Sequence, residues 1–127
     1  MNELWQAIYS RGTATAAGSY GVYDSIAPQN AALPYVVFQQ QAWGVEALDP
    51  RRREDAYVSI RAISQTGFAQ AGSIDAAIDT AFDNMPLSVS GHTNIWLKRT
   101  EQIRYVETAD DKRYYHQGGI YRIRLTH

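Results

Sequence analysis

Glu54-Asp55-Ala56-Tyr57-Val58-Ser59-Ile60-Arg61-Ala62-Ile63-Ser64, followed by Gly67-Phe68 and a run reaching Met85, decides the fold. Ala56, Val58, Ile60 and Ala62 alternate with Asp55, Ser59 and Arg61. A two-residue period of this kind is that of a half-buried strand. Beyond Gly67, Ala71, Ile74, Ala77, Ile78, Ala81, Phe82 and Met85 recur at helical spacing and form one apolar stripe. The helix starts between Thr66 and Ser73. Gly72 either costs about 1 kcal/mol against alanine inside it or marks a break, with Ser73 capping a shorter helix. Pro86 ends it by forcing its neighbour out of the helical region. A strand followed by such a helix must lay the stripe on the sheet.

Upstream, residues 2 to about 10 read as a short helix. Asn2 is its cap, Leu4, Trp5, Ile8 and Tyr9 form its apolar face, and Gly12 is its stop. Too short to persist alone, it has to dock. Thr13 to Ser19 is small and polar and reads as a loop. Tyr20 to Ile26 is a short strand or extended segment. Pro28 and Pro34 remove two backbone donors and place a surface loop between them. Pro34 opens a strand from Tyr35 to Trp43, with Val36 and Phe38 in the core. Gly44 to Arg53 reads as a loop with Asp49-Pro50 as its turn.

Downstream, Leu87-Ser88-Val89 is a brief extended piece and Ser90-Gly91-His92 a turn. Ile95 to Arg99 and Ile103 to Glu107 are two strands or one bent strand. Asp110-Asp111-Lys112 signals a hairpin turn. The run from Tyr114 to Leu125 carries Tyr121, Ile123 and Leu125 on one side and Arg122 and Arg124 on the other, with Gly118-Gly119 as a bulge candidate. The sum is an α+β fold: an antiparallel or mixed sheet of four to five strands, with two helices packed on one face.

Bulk properties exclude several classes. With 127 residues, 45% of them hydrophobic, the chain suits one domain with a core of its own. A formal charge of -1 gives no basic bias towards nucleic acid or an anionic membrane. The cysteine count is 0, so disulfides, thiolate nucleophiles and cysteine-ligated metals are excluded. No apolar run approaches the ~20 residues of a membrane span. Met1-Asn2-Glu3-Leu4 lacks the basic start and apolar stretch of a signal peptide.

Gly21-Val22-Tyr23-Asp24, then Ala27-Pro28-Gln29, then Leu33-Pro34-Tyr35-Val36-Val37 resembles the tail completion proteins of long-tailed bacteriophages and their prophages. Around that passage the family has a short first helix like the one holding Leu4 and Ile8. It also has a strand like Val58 to Ala62, a helix like Ala76-Ala77-Ile78, and a final hairpin ending like Tyr121 to Leu125. Gly21 stands where the family often carries arginine. The resemblance covers nearly the whole chain and implies a single tail-completion-like domain over residues 1–127. It implies a non-enzymatic virion protein without cofactors, in the virion's tail or neck, and in the host cytoplasm during assembly. The implied partners are further copies of itself in a homohexameric ring, the tail tube protein, and a head completion or neck protein. DNA is only passing cargo, and no membrane is involved. Rival readings are a head-side neck or minor tail protein, a small ligand-binding α+β domain, and a nucleic-acid binder using Arg99, Arg104, Arg122 and Arg124.

No residue pattern suggests catalysis or a metal. His92, His116 and His127 lie in no metal spacing, and no Gly-x-Ser-x-Gly elbow accompanies the serines. His92 reads as a turn residue and Asp110-Asp111 as a solvated turn. Arg51, Arg52 and Arg53 form the densest positive cluster. They either ride in a solvated loop, or cross to a neighbour's carboxylates or line a channel through which DNA passes, which the guanidinium fork suits. Pro28 and Pro34 bound one candidate interface loop, and the segment from Gly44 to Arg53 is the other. Tyr 9 and Trp 3 make the chain rich in aromatics, and Trp43, Trp96, Tyr105, Tyr114 and Tyr115 are core pairs or interface anchors. If the arginine cluster faces a neighbour or the lumen, replacing Arg51, Arg52 and Arg53 together by serine weakens ring assembly or head joining. Unchanged infectivity of the triple variant, measured by plaque titre, would leave the cluster to solvent.

Overall fold

The computed structural model describes residues 2–15, 20–47 and 52–126, without the side chains at 2, 43–47, 52, 53 and 95. The elements are α1 (Asn2–Ala14), β1 (Gly21–Asp24), β2 (Tyr35–Ala47), β3 (Arg52–Ser64), α2 (Phe68–Phe82), β4 (Ser88–Val89), β5 (His92–Ala109) and β6 (Lys112–Thr126). The fold is α+β, as the sequence pattern requires. Its sheet has six strands rather than four or five, in the order β1-β2-β3-β6-β5-β4. It is mixed, because β1 runs parallel to β2 while the other neighbours are antiparallel.

The period-2 reading of β3 holds. Ala56, Val58, Ile60 and Ala62 are buried on the helix side of the sheet. They join Val36 and Phe38 of β2, Leu97 of β5, and Tyr121, Ile123 and Leu125 of β6 in one core. Helix α2 lays Ala71, Ile74, Ile78 and Phe82 on that surface, and α1 adds Leu4 and Ile8. Each fully buried large side chain contributes about 1.5–3 kcal/mol relative to exposure.

Several glycines read as breakers instead permit close approach. Helix α1 runs through Gly12 to Ala14, because Gly12 lies against Val22, where an added Cβ would stand 3.2 Å from Val22 Cγ1. Helix α2 runs through Gly72, where a Cβ would lie 3.3 Å from the Gln117 amide. It ends at Phe82, before Pro86, with Asn84 at a φ of 59°. Met85, counted in the apolar stripe, is therefore outside the helix and exposed. Gly118 and Gly119 keep regular register with β3, and the register shifts lie at Gln41 of β2 and at Ile95 and Thr100 of β5.

The loop expected from Gly44 to Arg53 is largely strand. Gly44 pairs with Asp55, and the ladder continues to Ala47 and Arg52. Main-chain pairing at Gly44 needs no side chain, so the ladder runs past the composition break. Residues 48–51, with the expected Asp49-Pro50 turn, lie outside the described residues. The turn at the other hairpin is confirmed: Asp110 and Asp111 have φ of 52° and 62°, suiting a tight two-residue hairpin loop. β5 is one bent strand from His92 to Ala109, so His92 belongs to it and only Ser90-Gly91 turns. Asn94 straps the bend. Its Nδ2 donates to Trp96 O at 2.8 Å and Arg124 O at 2.9 Å, and its Oδ1 accepts from Leu87 N at 2.7 Å.

A polar bridge fixes α2 on the sheet. From β5, Arg99 reaches under the helix and donates to Asp75 Oδ1 at 3.3 Å and Oδ2 at 3.1 Å. It also lies 3.4 Å from Asp79 Oδ1 and donates to the Gly118 carbonyl. Tyr121 donates its hydroxyl to Asp79 at 3.1 Å, and the Arg99 main-chain N–H donates to Asp83 at 2.9 Å. A Cβ on Gly119 would stand 2.3 Å from Arg99 Nε, so this glycine makes room for the arginine. Burial pushes the Asp75 carboxyl above its ordinary range, against the pull of Arg99. Burial also works against the Arg99 charge, but the Asp75 hydrogen bonds and charge outweigh it and raise its pKa.

At the far end, Arg11 of α1 donates to the carbonyls of Ala81 at 3.3 Å, Pro86 at 3.1 Å and Met85. It thereby supplies a cation to the negative end of α2. Arg99→Ala leaves Asp75 buried without its partner and is expected to cost about 3–5 kcal/mol. Urea unfolding followed by tryptophan fluorescence measures this. A loss no larger than that of the exposed control Lys98→Ala would show that the bridge does not hold the helix.

Candidate functional site

Among the described residues, no helix covers the second face of the sheet. On it, Asp55 of β3, Arg124 of β6 and Trp96 of β5 stand in one row, with Tyr57 and Arg122 beside them. Arg124 donates to Asp55 Oδ1 at 2.9 Å and Oδ2 at 3.0 Å, and Arg122 to Oδ2 at 2.7 Å. The guanidinium of Arg122 sits 5.1 Å from the Trp96 ring centre and 5.6 Å from that of Tyr57, and Arg124 is 5.7 Å from Trp96. The hydrogen bond from Arg124 leads the forces that hold the Asp55 carboxyl down at about 2, against partial burial and with help from Arg122.

Farther along this face, His116 is buried between strands. Its ring stacks on Tyr105 with centres 4.4 Å apart. Arg61 Nε donates to Nδ1 at 3.3 Å, which makes Nε2 the protonated nitrogen, and Nε2 lies 3.0 Å from Glu107 Oε1. Burial lowers the pKa of His116, Glu107 opposes this, and Arg61 adds to the lowering. Both ring nitrogens are engaged, so this histidine braces three strands. The sequence offered no spacing that pairs His116 with Arg61, because the two meet only through strand register.

Past β3, whose last partner is Tyr115 opposite Ser64, β5 and β6 continue as a free two-stranded hairpin. Residues 104–113 are all exposed, including Tyr105 and Val106 at 45% and 44%. A third feature is a shallow groove of 440 Å³ between α1 and β4, lined by Glu3, Gln6, Ser10, Arg11, Ser88 and Ser90. Its polar groups do not converge on a buried point, and no group of acidic or histidine side chains suited to a metal occurs among the described residues.

The candidate residues named from sequence are scattered. Pro28 sits in an exposed turn, where Ala31 N donates to its carbonyl at 2.9 Å. Pro34 follows a cis peptide bond and directly precedes β2. Trp43 lies opposite Ala56, far along the ladder from Pro34. Arg52 and Arg53 are the first residues of β3, paired with Ala47 and Glu46, and Arg51 lies outside the described residues. The four arginines of the nucleic-acid reading do not share a face. Arg99 and Arg104 are on the helix side, bound to Asp75 and lying over the Phe68 ring at 4.0 Å, while Arg122 and Arg124 share Asp55 on the other.

Because the Asp55 carboxyl is held below its unfolded value, the unfolded chain binds the extra proton. The stability from this group is present above about pH 4 and lost as pH falls towards about 2. Its size is about 1 kcal/mol after solvent screening. Asp55→Asn is expected to flatten the unfolding free energy across that window in acid titrations at fixed urea; an unchanged slope would show that the cluster adds nothing.

Comparison with known proteins gives a consistent picture. The family model described as "Tail completion protein gp17" matches residues 6–125. A chain in a solved structure described as "Virion of native gene transfer agent (GTA) particle" is 22% identical, with a TM-score of 0.76, covering 96% of this chain and 93% of that one. A second solved structure is 14% identical with a TM-score of 0.57, covering 96% of this chain and 94% of its own. At these identities the two structures establish the fold alone. No curated protein matches the chain.

Proposed function

The chain belongs to the tail completion protein gp17 family, and from that premise we propose that it caps the head-proximal end of a phage tail tube as a ring. Its coarse role as a structural protein of a phage-type virion tail or neck follows from the family. On the finer reading, six copies close over the last ring of tube protein, stop tube growth and present a different surface to the neck of the head. The protein acts by shape and adhesion rather than by chemistry, and uses no cofactor. DNA passes through the ring as cargo.

The observation that carries this reading is the family match over nearly the whole chain. The protein's surfaces support it. Two polar clusters of the uncovered sheet face are paired internally: Asp55 with two arginines, His116 with Arg61 and Glu107. That suits a preformed contact surface better than a reactive one. The exposed hairpin of residues 104–113 and the arginines at the start of β3 are the segments we assign to contacts with neighbouring subunits or the lumen. Buried apolar and aromatic contacts would drive the association, and charge complementarity would choose the partner.

Disabling the gene in the parent phage and imaging the lysate by electron microscopy tests the reading. Overlong tubes beside unattached filled heads are expected. Tails of normal length that fail to join heads would move the protein to the head side of the neck. Intact infectious particles would overturn the structural role.

A further inference from the structure

The border of the sheet falls into four segments, and the fold closes only two of them. β1 lies along Tyr35–Phe38 of β2, and β4 lies along His92 and Thr93 of β5. Asn84 N donates to Leu97 O at 2.9 Å and Asp83 accepts from Arg99 N, which secures the next turn of β5. Among the described residues, no strand pairs with the outer edge of β2 from Gln39 to Ala47, or with that of β5 from Glu101 to Ala109. Soluble proteins blunt such edges with short strands, prolines or lysines. Here the closed quarters carry strands of four and two residues, while the open quarters are long and hold neither proline nor lysine.

The two open segments fit each other. β2 is antiparallel to β3, β3 to β6 and β6 to β5, so β2 and β5 run in opposite directions. A second copy's β5 laid against β2 therefore continues the antiparallel alternation. The open halves are also diagonal. The row Gln39–Ser59–Ile120–Glu101 divides them, with β2 open on one side of it and β5 on the other. When the centre of one open edge faces the centre of the other, the neighbour's hairpin tip ends beside Asp24, the last residue of β1. The two then stand end to end without competing for the same edge.

We propose that Glu101–Ala109 of one copy pairs antiparallel with Gln39–Ala47 of the next, so that the sheet runs unbroken through the subunit joint. This rests on the ring reading above and names its contact. The joint is head-to-tail, the type that closes into rings. It is offset by about seven residues along the strands, roughly 23 Å, which inclines them to the ring axis as in a closed barrel. Tyr105 and Val106 point to opposite faces of the hairpin, and the joint covers both.

The chain has no cysteine, so an introduced pair reports only on itself. Gln40 and Thr108, both exposed, stand within one residue of facing each other across the centred joint. Phage carrying Gln40→Cys with Thr108→Cys are treated with a short bis-maleimide, whose reach tolerates a slip of two residues. Denaturing gels of purified tails are then probed for this protein, and plaque titre confirms that the variant folds and assembles. A ladder rising to a six-copy species is expected. Either single variant, and Ser73→Cys with Thr108→Cys, should stay monomeric, because Ser73 lies on the exposed side of α2. A monomer band from the double variant, on tails that carry the protein, overturns the edge joint and leaves the ring reading standing. Absence of the protein from purified tails overturns both.

Discussion

Arg99 is the constraint on which the rest of the structure depends. Apolar contact between a helix and a sheet has no direction, and the stripe of Ile74, Ile78 and Phe82 could slide along β3 and β6 at small cost. A guanidinium held by Asp75, Asp79 and the Gly118 carbonyl admits one placement. Asp75 and Asp79 of α2 and Asp83 just past its end recur every four residues and all turn towards β5 and β6. Gly119 is the condition for this, since any side chain there would occupy the space of the arginine. The register shift of β5 at Thr100 follows directly after Arg99, and beyond it Arg104 still lies over the Phe68 ring at the start of α2.

The two faces of the sheet divide the work. The helix side holds the apolar core and the charged bridge of Arg99. The other side holds charge clusters stacked on aromatic rings, partly open to water, that lock the strands without a second layer. Asp55 and His116 anchor the two ends of that face by different means: one as a carboxylate under two arginines, the other as a neutral ring between an arginine and a glutamate. A sheet stiffened in this way keeps its shape while its borders and hairpin remain available.

Much of this was legible in the sequence where the signal was local. The alternation of Ala56 to Ala62, the stripe of α2, the turn at Asp110-Asp111 and the α+β class follow from period and turn chemistry. Glycine was misread. At Gly12, Gly72 and Gly119 composition suggests stops, breaks or bulges, whereas the cause is a neighbour pressing close, which only the tertiary structure supplies. The segment from Gly44 to Arg53 looked like a loop because of Gly44, Pro50 and three arginines, yet main-chain pairing carries both strands into it. The bridge from Arg99 to Asp75 and the strut from Arg61 to His116 join residues that no periodicity connects. For the same reason Pro28, Pro34, Trp43 and the arginines of residues 51–53 could be named singly but not assembled into one site.

The central seam of the sheet sets the order in which the chain can fold. β2 with β3 and β5 with β6 are hairpins between neighbours in sequence, and such pairs form within microseconds. The seam between β3 and β6 joins positions from Ser64 with Tyr115 to Arg53 with Thr126, about 50 to 70 residues apart, and long-range pairing of this kind is slow. Both faces of β3 and β6 are built from residues on either side of that seam, so neither the core nor the Asp55 cluster exists until it closes. The borders of the sheet consequently belong to a species that has already passed its slowest step.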